Sequence, residues 1–137
     1  MKIVGVDYGS ARTGVAVSDP SATIARPLGV VERAGSEAGL ARLVELIRSE
    51  EAERVVVGLP LTLRGERGAQ AQETEAFVEA LRAAIDVPVE SFDERFTTRL
   101  AQARPGDRPR DRSEPDDARA AAHLLSSYLE WSSAGLE

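Results

Sequence analysis

Apolar and polar positions along the chain change period several times, and each change marks an element. Ile3-Val4-Gly5-Val6 is a short apolar run that ends on Asp7 and passes straight into Tyr8-Gly9-Ser10-Ala11-Arg12-Thr13-Gly14. In Gly14-Val15-Ala16-Val17-Ser18, Val15 and Val17 alternate as a half-buried antiparallel strand does. A third strand is predicted at 28–31, beyond the Asp19-Pro20 turn. The period then shifts from two to near 3.6. Ser36 is placed to cap a helix whose Leu40, Leu43, Val44 and Ile47 fall at i, i+3, i+4 and i+7. Arg54-Val55-Val56-Val57-Gly58 is a continuous apolar run of the kind buried on both faces of a parallel sheet. A second helix carries Phe77, Val78, Leu81 and Ile85, a strand follows at 87–92, and a last helix runs from near Ser113 to about Trp131.

Three meandering strands, then helices alternating with strands, imply parallel pairing through right-handed crossovers. The expected fold is α/β, a mixed five-stranded sheet flanked by helices. Two stretches lack periodicity, 62–71 and 104–112, and polar loops at the carboxyl ends of strands are where α/β domains usually bind ligands.

The length of 137 residues suits one domain spanning 1–137, with no second catalytic domain expected. Without cysteine there is no thiolate metal site or thiol nucleophile, and a single histidine, His123, makes a zinc site or a Ser-His-Asp triad a poor fit. His123 reads instead as a packing or surface residue. No apolar run approaches the ~20 residues of a membrane span. The chain opens on a core strand, so a cytoplasmic protein with no membrane partner is expected. The net charge of -6 argues against a nucleic-acid partner, because phosphate binding is largely electrostatic. Its distribution argues the other way. Between positions 95 and 112, Arg95, Arg99, Arg104, Arg108, Arg110 and Arg112 face only Asp107 and Asp111, and arginine forks suit phosphate. The aromatic side chains, Phe77, Phe92, Phe96 and Trp131 among them, read as core or capping hydrophobes rather than base-stacking platforms.

Carboxylates stand at the edges of three predicted elements. Asp7 closes the first strand, Asp93-Glu94 the last, and Asp116-Asp117 opens the final helix. Parallel neighbours put their carboxyl ends on one side, so Asp7 can approach Asp93-Glu94. Helix phase selects Asp117, which shares a stripe with Ala121, Leu124, Leu125 and Tyr128, whereas Asp116 shares one with Ala120 and His123. Converging carboxylates repel one another unless a cation sits among them. All-oxygen ligands favour Mg²⁺ or Mn²⁺, the ions used in pairs ~4 Å apart to cleave phosphodiesters. Acids are also common at strand ends and helix N-termini, where they merely complement a dipole.

At these residues the chain resembles the YqgF family, also called RuvX, of bacterial RNase H-like nucleases. The likeness lies in four ordered motifs: 6–16 around Asp7 and Arg12; Val57-Gly58-Leu59-Pro60-Leu61; Asp93-Glu94-Arg95-Phe96-Thr97-Thr98; and Asp117 with Ala120-Ala121 and 125–129. The resemblance implies an RNase H-like fold with sheet order 3-2-1-4-5. It implies an endonuclease that processes the 5′ end of pre-16S ribosomal RNA, or alternatively a Holliday junction resolvase, so the partner is structured RNA or branched DNA. Its catalytic and metal-binding set is Asp7, Glu94 and Asp117, with Asp93 as an understudy for Glu94. Arg12 and Arg95 would contact the phosphate backbone and Thr97 would brace the turn. The chain departs from the family pattern at Ala11 and Thr62, and the basic residues before the last aspartate are displaced to Arg110 and Arg112. Many RNase H-like enzymes also place a carboxylate after the fourth strand, where this chain has Gly58-Leu59-Pro60. Cutting both strands of a junction is served most simply by a homodimer. Two other classes remain in view: an actin-like sugar kinase, which opens with a similar strand and turn but needs two such domains, and a nucleic-acid-binding module that does not cut.

Overall fold

The computed structural model describes residues 1–62, 64–96 and 116–133. Five strands form one mixed sheet: β1 (Ile3–Asp7), β2 (Arg12–Ser18), β3 (Ala25–Glu32), β4 (Arg54–Leu59) and β5 (Val89–Asp93). Their order is β3-β2-β1-β4-β5. The β1–β2 and β2–β3 pairs are antiparallel and the β1–β4 and β4–β5 pairs are parallel, so the carboxyl ends of β1, β4 and β5 share one edge. The expected topology is the observed one.

The sheet alternates by size as well as polarity, and that alternation sets where the helices sit. On one face, Val4, Val6, Val15, Val17, Val55 and Val57 meet Leu43, Val44 and Ile47 of α1 (Glu37–Ser49) and Phe77, Val78 and Leu81 of α2 (Ala69–Ala84). Each fully buried valine of this layer contributes about 1.5–3 kcal/mol. The other face offers Ile3, Ala16 and Val56 to Ala121, Leu124, Leu125 and Tyr128 of α3 (Asp116–Ser133). Gly5, Gly14 and Gly58 lie on this second face, and their missing side chains let α3 settle close: a Cβ on Gly5 would stand 2.9 Å from Leu125 Cβ. Successive strand residues alternate faces, so Asp7 and Arg12 continue the rows that α3 covers.

Several boundaries differ from expectation for identifiable reasons. Ser36 does cap α1, accepting a hydrogen bond from the Gly39 amide at 3.0 Å. β3 starts at Ala25 rather than near 28, because Ala25, Arg26 and Pro27 pair with Ser18, Val17 and Ala16. As an edge strand it tolerates both the proline and a polar outer face. β5 begins at Val89 rather than 87, since Pro88 lacks an amide and offers only its carbonyl, to Val55 N at 2.9 Å. α2 begins at Ala69, inside the stretch read as aperiodic, on a Gly68 cap that makes no side-chain hydrogen bond. The expected helix start at Ser113 lies outside the described residues. Phe77 and Phe92 are core residues and Trp131 packs edge-on to Phe92. Phe96 is not in the core: it is 56% exposed and touches Phe92 only at the rim. His123 is half-buried on α3.

Candidate active site

The site forms where the α3 face reaches the carboxyl edge of the sheet. Asp7 pairs in register with Gly14 across the β1–β2 ladder. Above Gly14 passes the first turn of α3, so closely that a Cβ on Gly14 would lie 1.8 Å from the Asp117 carbonyl oxygen. Gly14 thereby sets the height at which Asp117 arrives over the strand ends. Beyond β1, β4 ends in Gly58, and the space its side chain would fill is taken by Glu94 from the 3₁₀ turn Glu94–Phe96: a Cβ there would stand 3.0 Å from Glu94 Cγ. The carboxylate absent from the end of β4 is thus replaced by one reaching over from β5.

The electrostatics follow from this crowding. Burial, and then the charge of Asp117, raises the Asp7 carboxyl above its ordinary value. Burial raises Glu94 further, to about 7, with Asp7 and then Asp93 adding repulsion. Asp7 is thus raised by Asp117 and in turn raises Glu94, although the three come from elements far apart in sequence. Asp117 is half-buried and turned onto Arg12, with Nε to Oδ2 at 3.2 Å, whereas Asp116 is exposed, as the helix phase predicts. Among the described residues no three acidic or histidine side chains stand grouped as ligands for one metal ion. Asp117 sits on its arginine rather than beside Asp7 and Glu94. The donors are nonetheless all carboxylate oxygens, the set that a hard divalent cation takes, and a cation would relieve the repulsion that raises Asp7 and Glu94.

The remaining residues singled out from the sequence divide. Asp93 holds Arg95: Nε lies 3.1 and 2.9 Å from the two carboxylate oxygens and Nη2 lies 2.6 Å from Oδ2. This pairing keeps Asp93 below its usual range, and its charge adds to the repulsion that raises Glu94. Thr97, Arg110 and Arg112 lie outside the described residues. What the sequence reading missed is the set of close approaches at Gly14 and Gly58; glycine inside an otherwise valine-rich strand was the available signal.

A mixed α/β sheet in this order defines a fold class seen in solved resolvases. Thermus thermophilus RuvC in complex with a Holliday junction substrate superposes with a TM-score of 0.66 over 98% of this chain and 96% of that one, at 20% identity. The fowlpox virus Holliday junction resolvase gives 0.53 over 95% and 99%, at 14% identity. A family model described as "RuvX: Holliday junction resolvase" matches residues 1–131, and the chain belongs to that family. Among relatives, the protein from Chloroflexus aggregans is 43% identical over 131 residues, covering 93% of this chain and 92% of its own length. That from Syntrophomonas wolfei is 38% identical over 138 residues, covering 98% of both. Each bears the name "Putative pre-16S rRNA nuclease". Among the described residues no helix is long and apolar enough to cross a membrane.

Proposed function

We propose that this chain, as one domain over 1–137, is a metal-dependent endonuclease that hydrolyses phosphodiester bonds, with the 5′ end of pre-16S ribosomal RNA as its substrate. The observation that supports it is the crowding of carboxylates at the carboxyl edge of the sheet: Asp7 helps to raise Glu94 to about 7 and is itself raised by Asp117. Acids kept only for surface solubility would stand in solvent, not half-buried at one sheet edge where they raise one another. The names of the relatives support ribosomal RNA as the substrate. The family description and the RuvC likeness favour a second reading, resolution of branched DNA.

Asp7, Glu94 and Asp117 would hold Mg²⁺ or Mn²⁺. When bound, such ions polarise an attacking water and stabilise the leaving oxygen. The chain's own residues do the rest. Glu94, raised to about 7, titrates near neutral pH and is drawn to its charged form by positive charge entering the site, and Asp7, fixed by the ladder, anchors the set. Arg12 exchanges Asp117 for a substrate phosphate, which frees the aspartate at the moment the strand arrives. Arg95 supplies a second phosphate contact. A side-by-side assay on a ribosomal RNA precursor and a synthetic four-way junction, with Mg²⁺ or Mn²⁺ and an Asp7→Asn control, tests this. Cleavage of the RNA at its 5′ end is expected, and cleavage of the junction alone would establish the second reading.

A further inference from the structure

The Asp93–Arg95 pair is more than an ion pair beside the site. Asp93 takes one edge of the guanidinium through Nε and Nη2, and also accepts the Arg95 amide at 2.9 Å. The flat face of the same guanidinium lies on Gly65. A Cβ at Gly65 would stand 3.2 Å from Nη1, 3.4 Å from Nη2 and 3.5 Å from Cζ, nearly equal distances that describe a group lying face-on. Gly65 has φ +82°, the left-handed region that suits glycine. Its turn is closed by Gly65 N to Thr62 O at 2.8 Å and by Glu66 N to Thr62 Oγ1 at 3.0 Å. The neighbouring Arg64 is exposed, whereas Arg67 is paired with Glu75 across to α2. One edge and one face of Arg95 are therefore held by groups that do no chemistry, and the exposed Arg64 adjoins the Gly65 on which it rests.

We propose that Asp93 is a positioning residue for Arg95, and that Arg95 seated on the Gly65 turn, with Arg64, forms a rim that grips the phosphate backbone on the β5 side of the site. Arg12 grips it on the β2 side. The inference rests on the nucleic-acid reading above. It assigns Asp93 to substrate affinity, not to metal binding, and gives the loop after β4 a function through a residue that has no side chain.

Two measurements on the whole chain separate these roles: anisotropy of a fluorescein-labelled RNA hairpin in EDTA, and Mn²⁺ binding to the free protein by electron paramagnetic resonance. Asp93→Asn should weaken hairpin binding about tenfold, as loss of a charge-assisted fork would, with an unchanged Mn²⁺ midpoint. Gly65→Ala should weaken the hairpin similarly, and it decides the matter if Asp93→Asn fails to fold by circular dichroism. Arg95→Gln should lower the slope of log affinity against log salt by about one. A shifted Mn²⁺ midpoint in Asp93→Asn with unchanged hairpin affinity would make Asp93 a ligand and overturn the proposal, as would wild-type affinity in the variants that fold. A wild-type protein that binds the hairpin and cuts nothing contradicts the nuclease reading alone.

Discussion

Gly14 and the carbonyl of Asp117 meet where no side chain fits: a Cβ on the glycine would fall 1.8 Å from that oxygen. The obstacle is backbone, so it cannot rotate aside. Gly14→Ala should lift the first turn of α3, cost about 1–3 kcal/mol by overpacking, and remove cleavage through the displaced Asp117. Urea unfolding and a cleavage assay check it, with Gly29→Ala as control, since nothing lies within 4 Å of a Cβ there.

Gly58 gives the contrasting case. Its Cβ would meet the side-chain atoms Glu94 Cγ and Leu124 Cδ2, each at 3.0 Å, and side chains can give way. Gly58→Ala should therefore leave stability within about 1 kcal/mol of wild type and still reduce cleavage strongly, because the group that gives way is Glu94. Equal losses of stability in the two glycine variants would contradict this.

Much of this arrangement was legible in the sequence. Val15 and Val17 announced β2, Ser36 announced α1, and the stripe from Asp117 to Tyr128 put that aspartate, not Asp116, toward the sheet. The close approaches were not legible, because they depend on which strand lies beside which: only the pairing of Asp7 with Gly14 puts the first turn of α3 over the strand that flanks Asp7. The division of labour between Asp93 and Glu94 was hidden for another reason. A 3₁₀ turn at Glu94–Phe96 follows the strand directly, and it throws adjacent acids to opposite sides, one onto Arg95 and the other over Gly58.

Glu94 also makes stability depend on pH. Its folded value of about 7 lies above the ordinary 4.5, so the unfolded chain releases its proton first as pH rises. The Glu94 contribution is then most favourable below about 4.5, falls as pH climbs from there toward 7, and levels off above it. The raised Asp7 acts in the same direction at the acid end. Melting temperatures in EDTA should decline across this window, and Glu94→Gln should flatten the decline. Mn²⁺ should restore the lost stability at pH 7.5, by binding the folded state; no metal-induced shift would count against a cation site.

Arg12 and Asp117 form an exposed to half-buried pair, and pairs of this kind contribute at most about 1 kcal/mol. Arg12→Ala should barely move the melting temperature. Because it removes a phosphate contact, it should weaken nucleic-acid binding and lower the salt slope by about one. Anisotropy titrations at several salt concentrations measure both.

The central claim is that Asp7, Glu94 and Asp117 act as one unit. Single-turnover cleavage by Asp7→Asn, Glu94→Gln, Asp117→Asn and the Asp7→Asn/Asp117→Asn double variant tests it most directly. Groups that work as a unit are non-additive, so each single variant should lose at least about a hundredfold and the double variant little more. Single variants that cleave at the wild-type rate with Mg²⁺ or Mn²⁺ would contradict the account.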